Sequence, residues 1–125
     1  MRLPSLRRAV GDKLKLARVY AFSLGKGWLH RAPFKDVRVY CAFIGYPRSG
    51  HSLVGSLLDA HPNMMIVHEL DALWYLSAGF GKYQILHLIS DNSRSAARQG
   101  RSETGYSYVV REQWQGSYQN LHVIG

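Results

Sequence analysis

Cysteine is almost missing from this sequence. Cys41 is the single one in 125 residues, which excludes an internal disulfide framework and a cysteine-built zinc cluster. Cys41 lies inside the apolar run VRVYCAFIG, the setting of a small core residue and not of a nucleophile. Long apolar runs are missing too, since none approaches the roughly 20 residues that span a bilayer. Acids are scarce, with eight Asp and Glu against sixteen Lys and Arg. No internal repeat and no extended low-complexity tract occurs. What is present is 46% hydrophobic and 12% aromatic residues, enough for a packed core in one modest domain or a part of a larger one.

The charge is not spread evenly. Residues 1–38 hold ten Lys and Arg and two acids, a net +8, whereas residues 39–125 hold six of each sign. The body is therefore neutral, which argues against a broad nucleic-acid-binding face. Residues 1–36 form a basic leader in which Leu6, Val10, Leu14, Ala17, Ala21 and Leu24 recur at steps of three and four. That spacing predicts one apolar stripe on a helix, with Arg7, Arg8, Lys13, Lys15 and Arg18 largely off it. The open readings are that the stripe packs on the body, that it lies on an anionic membrane surface, that it meets another partner, or that the basic, acid-poor leader is an organelle transit peptide. A secretory signal fits poorly, because the charges continue through Lys13, Lys15 and Arg18 and no uninterrupted apolar segment follows. The reducing compartment that the cysteine count fits is the cytoplasm, with the leader as the route to a membrane.

Residues 37–125 form the body. Val37–Ile44 reads as a buried strand, Gly45–Ser52 as a loop and Ser52–Ala60 as a helix ended by His61-Pro62. Met64–Val67 reads as a second strand, and Asp71 as the N-cap of a helix over Ala72–Ser77. Lys82 to about Arg98 reads as a helix with Ile85, Leu88 and Ile89 inward. The polar stretch Asn92–Thr104, overlapping its end, reads as a loop. Gly105–Asn120 is expected to be extended segments and turns, and Leu121–Ile124 a third strand. Strand, loop, helix, strand is a βαβ unit and implies a parallel sheet.

The loop Gly45-Tyr46-Pro47-Arg48-Ser49-Gly50-His51-Ser52 follows a strand and opens a helix. It has phosphate-loop form, with histidine where lysine is usual. Glycines let the backbone approach an anion, and the free N–H groups of a helix start point at it. Ser49 and Ser52 add hydroxyls, and Arg48 adds a forked cation. Lacking the lysine that neutralises terminal phosphates, the loop disfavours ordinary triphosphate chemistry.

The stretch FIGYPRSGHSLVGSLLDAHP resembles the 5′-phosphosulfate loop and following helix of sulfotransferases that use 3′-phosphoadenosine 5′-phosphosulfate (PAPS). Pro47, Arg48, Ser49, Gly50 and Ser52 match the family's P-[KR]-S-G-[TS]-[TS] pattern; His51 departs from it. The form is most similar to the tyrosylprotein-sulfotransferase-like and bacterial branches. The resemblance implies an α/β fold: a three-layer P-loop-type parallel sheet flanked by helices, of which this chain would be the N-terminal part, incomplete at its C-terminus. It implies PAPS as co-substrate, bound by Pro47, Arg48, Ser49, Gly50, His51 and Ser52, with no metal. The acceptor would be a carbohydrate, a protein tyrosine or a small alcohol. Arg94, Arg98 and Arg101 are the arginines to test for the cofactor's 3′-phosphate.

The βαβ unit places a second residue. Strand two, parallel to strand one, ends on the loop's edge of the sheet, which sets His68 and Glu69 near Arg48. A carboxylate there can take a proton from an attacking hydroxyl, and the resemblance assigns that role to Glu69, with Arg48 stabilising the transferring group. His68 is the competing base. Against these stand plainer roles: Glu69 as a cap or ion-pair partner, His68, His51 and His61 as structural or lining residues, and Asp59 as a solvated or capping acid. Trp74, Tyr75, Trp114 and Tyr118 are candidates for an acceptor pocket or for aromatic core. The function expected is sulfuryl transfer from PAPS to a hydroxyl or amine. The alternatives are a P-loop nucleotide-binding protein or phosphotransferase of another family, and a non-catalytic remnant.

Overall fold

The computed structural model describes residues 6–46, 48–103 and 105–125, and for residues 6–10 and Glu103 the backbone alone. Pro47 lies outside the described residues, as do the first five residues of the leader. The molecule is mixed α/β. Among the described residues there are four helices, α1 (Leu6–Leu29), α2 (His51–Asp59), α3 (Ala72–Ser77) and α4 (Lys82–Arg98), and five short strands, β1 (Val39–Tyr40), β2 (Met64–Met65), β3 (Ser102–Glu103), β4 (Tyr106–Ser107) and β5 (Val123–Ile124). A 3-10 turn, Ala32–Phe34, links α1 to β1.

β1, β5 and β2 form a parallel sheet in that order, with Val39 and Met64 both in register with Val123. The βαβ unit is therefore present, but the Leu121–Ile124 run inserts between its two strands. Two inter-strand spacings, roughly 10 Å, therefore separate β1 from β2. Extended pairing continues past the ladder, since Cys41 N–H donates to Ile124 O at 3.0 Å and Val67 N–H to Gly125 O at 2.8 Å.

β5 and β2 carry the buried residues of the sheet. Met65, Ile66 and Ile124 are fully buried and join Phe34, Phe80, Ile85, Leu86, Ile89 and Leu121 in the core. The run Val37–Ile44 is not buried as its composition predicted. Val39 and Tyr40, on the edge strand β1, are half exposed, and Ile44, in the loop beyond it, is 99% exposed.

Helix faces are chosen by fit as well as by hydrophobicity. α1 packs on α4 through Leu16, Val19, Ser23 and Gly27, and not through its predicted stripe, which leaves Leu14 and Leu24 exposed. Gly27 permits the approach, since a Cβ there would lie 3.2 Å from Gln84 N and 3.3 Å from the Tyr83 carbonyl carbon. Gln84 fastens the contact by donating to Tyr20 O and Ser23 Oγ, both at 3.1 Å. Lys26 pairs with Asp91 at 2.7 Å. α2 likewise buries Gly55, Ser56 and Asp59, while Leu53, Val54 and Leu57 stay outside.

α4 runs through Asn92–Arg98, which corrects the loop expected from Asn92; Ser93, Ala96 and Ala97 supply the small face that packs against the C-terminal turns. Asp71 caps α3 as expected, accepting from Trp74 N–H at 2.9 Å. Asp59 is not a solvated acid. Its carboxylate is fully buried and accepts from Ile66 N–H at 2.5 Å, Gly116 N–H at 2.8 Å, Ser93 Oγ and the Arg101 guanidinium. Arg101, 2% exposed, also donates to Ile66 O and Ser93 Oγ. This cluster ties α2, β2, α4 and the C-terminal turns together. It also removes Arg101 from the set of arginines open to a ligand.

Candidate functional site

Parallel strands deliver their following loops to one edge of a sheet, where α/β folds bind ligands. β1 delivers the loop 41–50 and then α2; β2 delivers His68, Glu69 and Leu70. The loop closes with Ser49 N–H donating to Tyr46 O at 3.2 Å. Gly50 is the N-cap of α2 with φ 81°, a left-handed conformation suited to glycine, and no side chain caps the helix. The leading N–H groups of α2, those of His51, Ser52 and Leu53, are thus left for an external acceptor, and the helix dipole favours an anionic one. Ser49 Oγ is hydrogen-bonded to His51 Nδ1 at 3.3 Å, so the residue in the lysine position is tied to the loop's own serine.

Two hollows meet at His51. The smaller, about 310 Å³, is lined by Gly45, Ser49, His51 and the apolar Phe43, Ile44 and Val54. The larger, about 670 Å³, lies over the strand ends and is lined by Cys41, Phe43, His51, His68, Glu69, Lys82 and a set of apolar side chains that includes Val67, Leu70, Leu73, Leu76, Ile85 and Ile89. The structure thus brings His51, His68 and Glu69 to one cavity. Arg48 lines neither hollow; it is exposed on the loop rim. With β5 between the parent strands, Arg48 and Glu69 are not neighbours by adjacent-strand geometry. Ser52 is half-buried at the start of α2.

Arg48 and Glu69 share one conformational property. Each is a non-glycine residue with positive φ, 64° and 51°, which costs about 1–2 kcal/mol for an L-residue. Strain of this kind clusters at ligand sites. Glu69 does not cap α3, a role taken by Asp71, and its side chain is exposed at the mouth of the larger cavity. His68 is half-buried; its Nε2 is 2.9 Å from Ser56 Oγ, and its ring stacks on Tyr108 at 6.1 Å. Those contacts fix the imidazole between α2 and the turns beyond β4.

Cys41 is on the cavity wall and half-buried, and burial pushes its thiol pKa above the ordinary value, which suppresses the thiolate. His61 is the helix-end residue expected, its Nδ1 accepting from Asn63 N–H at 3.1 Å. The aromatic candidates do not line either cavity. Trp74, Tyr75 and Phe80 form an edge-to-face chain, and Tyr75 and Tyr118 pack on the core. The cavity's apolar lining comes instead from Tyr40 and Phe43, from Val67 and Leu70 beyond β2, and from aliphatic residues of α3 and α4. Lys82, at the start of α4, was not singled out from the sequence; it stands 5.3 Å over the Tyr40 ring, and its contact with the Tyr40 hydroxyl raises its pKa. Its only sequence signal is its position after Gly79-Phe80-Gly81. Among the described residues, no group of three or more His, Cys, Asp or Glu could hold a metal ion. No helix among them is long and apolar enough to cross a membrane. No family model matches the chain, and no curated protein or solved structure matches it.

Proposed function

We propose that this chain carries the phosphosulfate-binding half of a PAPS-dependent sulfotransferase site and transfers a sulfuryl group to a hydroxyl or amine. The observation that supports this most is the meeting of two hollows at His51: an uncapped helix start on one side, and a carboxylate at an apolar cavity on the other. In this reading the N–H groups of His51, Ser52 and Leu53, with Ser49 and Ser52, hold the 5′-phosphosulfate. Arg48 neutralises it from the loop rim, where a long exposed side chain can turn inward on binding. The acceptor occupies the larger cavity. Its oxygen or nitrogen forms a bond to sulfur while the sulfur–oxygen bond to the phosphate breaks. The bisphosphate leaves with the electron pair, and Glu69 takes the acceptor's proton. The aliphatic lining favours an acceptor with an apolar body over an extended carbohydrate.

Thermal shift tests the reading. Adenosine 3′,5′-bisphosphate or PAPS should stabilise the protein more than ATP with magnesium at equal concentration, since stabilisation follows RT ln(1 + [L]/Kd). A larger shift with ATP and magnesium would assign the loop to triphosphate chemistry and refute the proposal.

A further inference from the structure

We propose that the outward face of α1 docks on an anionic membrane surface, with the helix lying in the plane of the headgroups. Because α1 packs on α4 through Leu16, Val19, Ser23 and Gly27, its opposite face is turned away from the body. That face is largely apolar over four turns, with Arg18 set within it. Leu14 is 61% exposed, Phe22 65%, Leu24 50%, Trp28 74% and Leu29 68%, and a helical repeat of 3.6 residues puts all five, with Ala17 and Ala21, on one side. A solvated helix of a water-facing protein carries polar residues there, so the pattern is inverted, and contiguous apolar surface of this kind marks an interaction site.

Charge selects the occupant. Lys13, Lys15 and Arg18 are exposed along the N-terminal half of this face, and residues 1–38 carry the whole net +8 of the chain. A second copy of α1 laid on the face would bring like charges together. An anionic bilayer instead satisfies both the apolar side chains and the cations, Lys13 and Lys15 flanking them and Arg18 among them, the last with a stem long enough to reach the headgroups. Trp28 suits the headgroup boundary, with an apolar ring and an indole N–H. α1 is not apolar enough to cross a membrane, so the geometry is that of a helix lying on the surface. This inference does not depend on the sulfotransferase reading.

The test is flotation of the full chain with phosphatidylcholine vesicles, with and without phosphatidylserine. Binding is expected only with phosphatidylserine and should fall as salt shortens the Debye length. The pair Leu24→Ser and Trp28→Ser should weaken it at least about tenfold, since each removes an apolar side chain from the contact. Both positions are half exposed or more, so the fold should survive, as circular dichroism would verify. Leu57→Ser, on the exposed face of α2, should leave binding intact. Absence of binding to phosphatidylserine vesicles, or binding untouched by the paired substitution, overturns the proposal. So does self-association that the pair abolishes without any vesicle binding, which would give the face to a second copy.

Discussion

Removing the Asp59 carboxylate should be among the most damaging single changes in this molecule. The group is fully buried and is the acceptor for two backbone N–H groups, those of Ile66 and Gly116, as well as for Ser93 and Arg101. Asp59→Ala leaves those buried donors without it. An unsatisfied buried N–H costs about 1–3 kcal/mol, and breaking a buried ion pair by deleting one partner costs about 3–5 kcal/mol. The two ranges overlap in what they count, so a loss of at least about 4 kcal/mol is the expectation. Natural domains hold only about 5–15 kcal/mol in total. Arg101→Met should be milder, about 2–3 kcal/mol, because Ile66, Gly116 and Ser93 still donate to the carboxylate.

The two variants should also differ in their response to pH. Burial raises the Asp59 pKa, against the Ile66 N–H, Arg101, Gly116 and Ser93, all of which favour the anion. Without Arg101 it should rise further. A carboxyl raised above its unfolded value binds more protons folded than unfolded, so its stabilisation is greatest below that value and is lost as pH rises through the folded one. Arg101→Met should therefore recover toward wild type as the pH is lowered toward the ordinary carboxylate range, and Asp59→Ala should not. Urea unfolding at a series of pH values reads both effects. A loss below about 1 kcal/mol for Asp59→Ala would show that the cluster does not hold the fold together.

The remaining predictions concern the site and the packing of other segments on α4. Glu69→Gln should lower sulfuryl transfer by about 10²-fold or more while leaving bisphosphate affinity unchanged, read by steady-state kinetics and calorimetric titration; an unaltered rate would move the base to His68. Glu69→Asn should likewise lose activity yet gain stability in thermal melts, since asparagine tolerates φ near 51° better than glutamate does. His87 is nearly buried and bonded through Nε2 to His30 O at 2.9 Å, and burial lowers its pKa below 6.5. Its contribution is complete above 6.5 and is lost as pH falls through the window below that value, so His87→Gln should flatten the acid side of the melting-temperature profile. Gly116→Ala should destabilise by about 2–3 kcal/mol in urea, because φ is 73° and a Cβ would lie 2.5 Å from that of Ala97.

Local pattern identified the elements that local physics controls. The Asp71 cap, the end of α2 at His61-Pro62, the glycine-flanked loop opening a helix and the parallel direction of the first two strands were all readable, because each depends on neighbours in sequence. His51, His68 and Glu69 could be set on one sheet edge for the same reason, since parallel connection alone fixes that edge. The partners were not readable. That Leu121–Ile124 would enter between β1 and β2 is a matter of long-range pairing. It is this insertion that makes β1 and β2 non-adjacent.

Hydrophobic spacing by itself determined where α1 and α2 are helical, but not which face each would bury. Close packing made that choice: Ser23 and Gly27, and Gly55 and Ser56, let backbones approach where larger side chains would hold them apart. The sequence likewise carried Asp59 and Arg101 as two ordinary polar residues 42 positions apart. Only the fold could join them, because a charge is stable in the interior when its countercharge and its hydrogen-bond donors arrive with it, and those came from four separate segments of the chain.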